Sequence, residues 1–336
     1  MEDIRGVNLG GWLVLERWIS PSVFKGTRAT DEYSLIAELG YERASRRLQA
    51  HRETFITEKH IASIHRLGLS VVRLPVGYWL FDDQDGYVGG ADEYVNDLFI
   101  WASHFGLKVI LCLHAAPGSQ NGWDHSGRAG VIAWSESSNI KKTYNFLLRL
   151  VERYGQEDSL IGIEVVNEPH WSIPLSTLLD FYGRAGRMIE RVCRSGTQVI
   201  VSDAFRPKDM SKRIVKLGVQ NIVMDCHMYQ LFTDEDRALD ISGHLQKAHD
   251  WETELKRYSK QVPILIGEWS AAMSELYNLS GLERPIPYSM HDYISYAHMQ
   301  RQAFRNAGVG WCYWTARTED GGIWSLLDHP ELLKNT

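Results

Sequence analysis

The chain has 336 residues, of which 44% are hydrophobic and 23% are charged, as is ordinary for a globular protein in water. Lys and Arg total 36 and Asp and Glu total 42, so the net charge of −6 argues against nucleic acid as a partner. No apolar run reaches the roughly 18 residues of a membrane-spanning helix, and Met1–Arg5 does not open a secretory leader. We therefore expect a cytoplasmic protein without nucleic-acid or membrane partners.

Short, nearly continuous apolar runs recur along the chain, a pattern that is typical of parallel strands covered on both faces. The runs are Gly6–Trp12, Ser70–Val76, Lys108–His114, Leu160–Asn167, Gln198–Asp203, Asn221–Met228, Val262–Trp269 and Val309–Thr315. Between them, apolar residues recur at helical spacing. The longer helices predicted on this basis are Thr57–Leu67, Tyr94–Phe105, Ile140–Tyr154, Leu175–Cys193, Ile241–Tyr258 and Met290–Ala307.

The alternation of strands and helices predicts an α/β fold, a (β/α)8 TIM barrel in one domain that spans residues 1–336. An open, doubly wound sheet is the alternative, and it is disfavoured because no Gly-x-Gly-x-x-Gly motif follows an early strand. Two long insertions follow strand ends and should lie on the catalytic face: Leu13–Thr57, with a helical segment near Glu32–Leu48, and Ala115–Ser137. Only Ala316–Thr336 follows the last strand, which predicts a shortened closing element.

Polar and aromatic side chains stand at the carboxyl ends of several runs, where barrel enzymes carry their active sites. They are Arg73, His114, Asn167, Glu168, His227, Tyr229, Glu268 and Trp314. Glu168 follows the fourth run and Glu268 lies in the seventh, so we expect two carboxylates to converge across the barrel mouth. A buried carboxylate must be paired or hydrogen-bonded. Arg73 is the expected partner of one, while mutual repulsion should raise the pKa of the other.

Glycoside hydrolysis is the chemistry that requires two opposed carboxylates, one as a proton donor and one ionised. Asn167 is suited to the sugar 2-hydroxyl, an interaction that strengthens in the transition state. The 12 Trp and 15 Tyr can fill a core, but they also suit a sugar-binding cleft, because aromatic rings stack on pyranose faces. His114 and His227 could instead be metal ligands, but no His-Glu-x-x-His or paired-His spacing supports this. No metal or cofactor is expected, because two carboxylates suffice.

These motifs together resemble glycoside hydrolase family 5, and most closely its exo-β-1,3-glucanase type. The resemblance spans nearly the whole chain and is carried by NLGGWLVLE, RLPVGYW, LHAAPGSQNGWDHSG, GIEVVNEP, HMYQ and GEWS. It implies a retaining mechanism in which Glu168 is the acid/base and Glu268 is the nucleophile. It also implies a subsite for the non-reducing glucose. The residues implied for that subsite are Glu16, Arg73, His114, Asn167, His227, Tyr229 and Trp314.

The resemblance implies a β-glucan oligosaccharide or a β-glucoside as substrate, cleaved from its non-reducing end, since Glu16 matches an acid that binds distal glucose hydroxyls in the exo-acting type. The aromatic residues expected on the leaving-group side are Trp123, Trp134, Trp171, Phe232 and Trp324. Three alternatives stay open. One is a β-glucosidase for hydrophobic aryl, flavonoid or steryl glucosides. Another is an endo-β-1,4-glucanase, against which Glu16 argues. The last is a non-catalytic glucan-binding barrel, against which the presence of both glutamates argues.

Overall fold

Eight parallel strands close into a barrel in sequential order in the computed structural model, which describes residues 4–273 and 288–334. The strands are β1 (Arg5–Asn8), β2 (Val71–Gly77), β3 (Lys108–Ala115), β4 (Leu160–Glu164), β5 (Gln198–Ser202), β6 (Ile222–Met228), β7 (Ile264–Trp269) and β8 (Gly310–Tyr313). Each strand overlaps its predicted apolar run, and β8 pairs with β1 to close the sheet. The prediction of a TIM barrel is confirmed.

The described residues form ten α-helices. They are α1 (Glu32–Leu39), α2 (Tyr41–Phe55), α3 (Glu58–Arg66), α4 (Asp92–Phe105), α5 (Ser137–Tyr154), α6 (Leu175–Val192), α7 (Pro207–Ile214), α8 (Asp234–Arg237), α9 (Ile241–Ser259) and α10 (Met290–Asn306). The six longer helices predicted from spacing are confirmed as α3, α4, α5, α6, α9 and α10. Within the described part of the chain, no helix has the length and apolar character needed to cross a bilayer.

Three features of the helices differ from the prediction. The segment near Glu32–Leu48 is two helices, because Gly40 between α1 and α2 has a φ of +77°, which a continuous helix does not admit. Helix α7 was not predicted, since it is short and polar and buries only Met210, Ser211 and Ile214. Helix α8 is a single turn of charged residues. Such short segments carry too few apolar positions for a period of 3.6 residues to be recognised.

After β8 the chain closes the barrel without an α-helix, as far as the structure describes it, to Lys334. A 3-10 turn at Pro330–Leu333 takes that place, and Arg301 of α10 donates a 3.0 Å hydrogen bond to the carbonyl oxygen of Leu333. The shortened closing element is therefore confirmed.

The two insertions lie together at the carboxyl end of the barrel. In the first insertion, Asp31 accepts a 2.7 Å hydrogen bond from the Ser34 amide, which caps α1. The other carboxylate oxygen of Asp31 accepts a 2.8 Å hydrogen bond from the Ala129 amide of the second insertion. The Tyr33 amide also donates to the Gly127 carbonyl at 3.1 Å. One capping residue thus fixes the insertions to each other above the strand ends.

Candidate active site

A buried guanidinium joins the polar side chains at the carboxyl end of the barrel. Arg73 of β2 is fully buried. It donates from Nη1 to Glu268 at 3.0 Å and to Asn8 at 2.8 Å. Its Nε donates to Glu164 at 2.8 Å, and its Nη2 donates to Asn167 at 2.7 Å. The expected pairing of Arg73 with one of the two strand-end glutamates is confirmed for Glu268.

The same guanidinium compensates a second buried acid. Burial raises the pKa of Glu164 to about 8, although the charge of Arg73 acts in the opposite direction. Asp225 also faces Arg73, with its Oδ2 3.8 Å from Nη2. Both acids are buried, so loss of the arginine would leave them without a cation to compensate their charge. Removing one partner of a buried ion pair is strongly destabilising.

Replacing Arg73 by Met is expected to destabilise the fold by about 3–5 kcal/mol at pH 8. The expected loss is smaller at pH 5, because removing the cation raises the pKa of Glu164 further, and an acid with a raised pKa destabilises the fold progressively as the pH rises from the ordinary value of the group to the raised one. Urea denaturation at both pH values measures the difference. The control is Arg149→Met, which removes an exposed ion pair with Asp82 and should cost less than about 1 kcal/mol. Equal losses for the two variants would contradict the prediction.

Glu168 and Glu268 bring their carboxylates together across the barrel mouth, as the strand order predicts. One oxygen of each carboxylate and one ring nitrogen of His227 lie within 4.8 Å of one another. Retaining glycosidases hold their two carboxyl groups about 5–5.5 Å apart, whereas inverting enzymes leave about 6.5–9.5 Å for a water molecule. The nearest oxygens of the two carboxylates are therefore closer than the gap of an inverting enzyme, which agrees with the retaining class.

The backbone of Glu168 is held in an unusual conformation. Its φ is +43°, in the left-handed region that residues with a Cβ rarely adopt, and such a conformation costs about 1–3 kcal/mol and persists only where its surroundings impose it. Two side chains of the second insertion supply that support. Asn121 donates to the Glu168 carbonyl at 3.1 Å, and Gln120 donates to the Asn167 carbonyl at 2.9 Å. The second insertion therefore fixes the direction of the Glu168 side chain.

His227 lies between the two carboxylates. Its Nδ1 is 2.5 Å from Glu168 Oε1 and 3.4 Å from Glu268 Oε2, and its Nε2 is 3.4 Å from Asp225 Oδ2. Burial lowers the pKa of His227, but the charges of Glu268, Asp225 and Glu168 outweigh burial and raise it well above its usual value. The raised pKa favours the protonated imidazole, and this cation lies between the carboxylates of Glu168 and Glu268.

This cation decides how the two acids differ. Burial raises the pKa of Glu168, but the charge of His227 and its hydrogen bond outweigh burial, and the pKa falls below the usual value. Burial raises the pKa of Glu268, and His227 and Arg73 offset it only in part. One of the two pKa values is lowered and the other is raised, as expected. The lowered pKa is that of Glu168, and the main cation responsible is His227 rather than Arg73. The carboxylates of Glu168, Glu268 and Asp225 all surround the protonated His227. The residue types at the strand ends do not predict which of these acids the cation stabilises most.

The remaining predicted sugar-binding side chains surround this pair. The Tyr229 hydroxyl donates to Glu268 Oε2 at 3.0 Å, so both oxygens of Glu268 are held. The rings of His114 and Trp314 stack with centroids 5.4 Å apart. Glu16 is buried, and burial followed by the charges of Asp124 and Glu268 raises its pKa well above the usual value. The structure thus brings all seven residues predicted for the glucose subsite to one end of the barrel.

Several residues at the site were not predicted. Asn8 is fully buried at the end of β1, where it accepts from Arg73 and donates to the Gly267 carbonyl at 2.8 Å. Trp18 donates to Glu16 Oε2 at 2.8 Å. His125 Nε2 lies 3.4 Å from Glu168 Oε2. Asn8 could have been found as a polar side chain at a strand end, whereas Trp18 and His125 lie in insertions whose shape the sequence does not reveal.

Four of the five aromatic residues predicted for the leaving-group side lie in two groups. The first aromatic group is Trp123, Trp171 and Phe205, whose ring centroids lie 5.8–6.3 Å apart. In this group Trp171 is 56% exposed and Phe205, which was not predicted, is 42% exposed. The second aromatic group joins Phe232 and Trp324 through Tyr229, with centroid distances of 5.3 and 5.8 Å.

The assignment of Trp134 to the leaving-group side is wrong. Trp134 is fully buried, its Nε1 donates to the Thr143 hydroxyl at 3.0 Å, and its ring meets Phe181 edge-on at 4.9 Å. It therefore packs in the core between α5 and α6. A tryptophan in a long insertion gives no sequence signal that distinguishes an anchor of the insertion from a wall of the cleft.

Comparisons with known proteins agree with this geometry. The family model described as cellulase, glycosyl hydrolase family 5, matches residues 38–320. A protein named probable glucan 1,3-beta-glucosidase A from Aspergillus fumigatus is 35% identical over 97% of this chain and 85% of its own length. The glucan 1,3-beta-glucosidase of Blumeria graminis is 35% identical over 96% of this chain and 84% of its own. A solved rutinosidase from Aspergillus niger has the same fold, with a TM-score of 0.79, 18% identity and 98% of both chains covered.

The fold and the paired carboxylates define a glycoside hydrolase built on a (β/α)8 barrel. The chain belongs to glycosyl hydrolase family 5, since the family model covers most of it and the relatives exceed 30% identity over nearly its full length. The resemblance inferred from the motifs is thereby confirmed.

Proposed function

We propose that the protein is a retaining, exo-acting β-glucosidase or exo-β-1,3-glucanase, which releases glucose from the non-reducing ends of β-glucans or β-glucosides. The observation that carries the proposal is the convergence of the Glu168 and Glu268 carboxylates within 4.8 Å. The names of the relatives, which are glucan 1,3-beta-glucosidases, support the β-1,3-linked substrate.

In the first step, a carboxylate oxygen of Glu268 attacks the anomeric carbon and the bond from that carbon to the leaving oxygen breaks. Hydrogen bonds from Arg73 and Tyr229 to the two oxygens of Glu268 hold it in place. Glu168 gives its proton to the leaving oxygen. Because Glu168 is the more acidic member of the pair before substrate binds, the proton that it needs comes from His227 along their 2.5 Å hydrogen bond.

In the second step, water attacks the anomeric carbon of the glycosyl-enzyme and Glu168 accepts the proton of that water. The bond to Glu268 breaks, and glucose leaves with the β configuration with which it entered. His227 then shares the proton with Glu168 again, so the cycle needs no external proton donor.

Cleavage from the chain end is supported by the way the insertions meet. The bonds from the Ala129 amide to Asp31 and from the Tyr33 amide to Gly127 hold the two insertions together beside the site. Glu16 is buried next to them, and burial raises its pKa well above the usual value, which favours the protonated carboxyl group that can donate to a glucose hydroxyl. A site closed at this end accepts one terminal sugar.

Digestion of β-1,3-gluco-oligosaccharides tests the proposal. We expect free glucose as the first product, with the β anomer seen first by NMR and mutarotation to the α anomer following. Early release of mixed oligosaccharides would contradict the exo action, and early α-glucose would contradict retention. Laminaribiose compared with its β-1,4 and β-1,6 isomers gives the linkage.

The first aromatic group favours a second candidate, a β-glucosidase for hydrophobic aglycones. Exposed rings at the mouth of a sugar site can stack on a planar leaving group. Replacing Trp171 by Ala is then expected to raise KM for an aryl β-glucoside about tenfold, while laminaribiose is little affected. The matched control is Ile100→Ala, which removes an exposed apolar side chain on α4. A Trp171→Ala variant with unchanged KM for the aryl glucoside would rule this candidate out.

A further inference from the structure

His125 contacts the carboxylate oxygen of Glu168 that His227 leaves free. His227 Nδ1 bonds to Oε1 of Glu168 at 2.5 Å, and His125 Nε2 lies 3.4 Å from Oε2. The side chains of His125 and Glu168 are 16% and 11% exposed, so water has little access to either. Each oxygen of this carboxylate therefore has its own imidazole neighbour.

The position of His125 is fixed by its own loop. It lies in a 3-10 turn, Asp124–Ser126, that ends at Gly127, where φ is +84° and an added Cβ would lie 2.6 Å from the Trp79 ring. The Ser126 amide and hydroxyl both bond to the Trp123 carbonyl. These contacts hold the turn in one conformation, which fixes the position of the His125 side chain.

The ring of His125 has few other polar contacts. Its centroid is 5.1 Å from that of His114 and 5.5 Å from that of Trp123, so it is packed between two rings. Its Nδ1 is buried and has no hydrogen-bond partner among the described residues. The polar approach that this ring makes within the described part of the chain is therefore that of Nε2 to Glu168.

We infer that His125 is a positioning residue for Glu168, holding the second carboxylate oxygen in place while His227 holds the first. The inference rests on the proposed role of Glu168 as the acid/base. With both oxygens held, the carboxyl group cannot rotate away from the leaving oxygen. A poor leaving group, which needs the proton, depends on this orientation more than an activated one does.

A charge effect accompanies the positioning. The titratable groups near His125 are Glu168 after β4, His114 on β3 and Glu268 on β7, on whose pKa the charge of His125 acts. In its charged form His125 lowers the pKa of Glu168, in addition to the larger effect of His227 that outweighs burial. Loss of the imidazole should therefore raise the pKa of Glu168.

The experiment compares His125→Gln, which keeps a neutral donor, with His125→Phe, which keeps only the ring. Both should raise the pKa of Glu168 by about 0.5–1 unit. His125→Phe should lower kcat for laminaribiose about tenfold and affect an activated nitrophenyl glucoside less, with His125→Gln partly restoring the loss. The control is His329→Gln, which removes another His–Glu contact, 3.0 Å to Glu331, and should change neither property.

A measurement without substrate separates this inference from the proposed function. The carboxyl pKa of Glu168 is followed by 13C NMR, with the signal assigned from Glu168→Gln. A raised pKa in His125→Gln supports the contact even if the wild type hydrolyses no β-glucoside, a result that would overturn the proposed function alone. An active wild type together with an unchanged Glu168 pKa and an unchanged kcat for laminaribiose in both His125 variants would overturn the inference.

Discussion

Replacing Glu268 by Gln is expected to lower kcat on all β-glucosides by several orders of magnitude. An amide cannot attack the anomeric carbon, so no glycosyl-enzyme forms. The change is nearly isosteric, and the amide oxygen can still accept the 3.0 Å hydrogen bond from Arg73. The fold should therefore persist, and turnover of laminaribiose and of a nitrophenyl glucoside measures the effect.

The control for this variant is Glu331→Gln, which makes the same chemical change at a glutamate in the C-terminal segment. It should leave turnover unchanged. Urea denaturation should show Glu268→Gln folded at the assay temperature. Near-normal turnover by folded Glu268→Gln would contradict the assignment of the nucleophile.

Replacing Glu168 by Ala is expected to affect substrates according to their leaving groups. Without the acid, release of glucose from laminaribiose should fall by about 10²–10⁴-fold, the usual contribution of a general acid. An activated dinitrophenyl glucoside needs no proton, so its first step should be largely spared. Its second step should be slow, because no base activates the water. A burst of dinitrophenol followed by slow turnover is the expected signature.

Azide distinguishes loss of the base from general damage to the site. It needs no deprotonation, so it should react with the glycosyl-enzyme of Glu168→Ala and yield β-glucosyl azide. The wild type should show no such acceleration. If laminaribiose and the dinitrophenyl glucoside were slowed equally, and azide had no effect, Glu168 would not be the acid/base.

The barrel could be predicted because its strands are chemically simple. Runs such as Lys108–His114 are apolar on both faces, since one face meets the barrel interior and the other the helices. The long helices repeat apolar residues often enough to be recognised. Helix α7 is too short for that, and the break at Gly40 depends on a φ angle that glycine permits but does not require.

The site could be predicted where its residues lie on strands. The barrel order brings the ends of β4 and β7 to the same mouth, which is why Glu168 and Glu268 meet. The insertions follow no such rule. Trp134 packs in the core and His125 lies beside Glu168, although both belong to the second insertion. Their positions depend on the folded path of the insertion, which the sequence pattern does not predict.

The sequence also could not predict which of the two glutamates has the lower pKa. Whether Glu168 or Glu268 holds its proton more tightly depends on distances of 2.5 and 3.4 Å to a single imidazole. Strand order places these groups in one region but does not set distances at this scale.

Trapping the glycosyl-enzyme tests most directly whether these two acids work as a nucleophile and an acid/base. A 2-deoxy-2-fluoro-β-glucoside with an activated leaving group slows the second step, and peptide mass spectrometry then locates the sugar. We expect one fluoroglucosyl group per chain, attached to Glu268 and absent in Glu268→Gln. A label on Glu168 or Glu16 would contradict the roles assigned here, as would hydrolysis that yields α-glucose first with no trapped adduct.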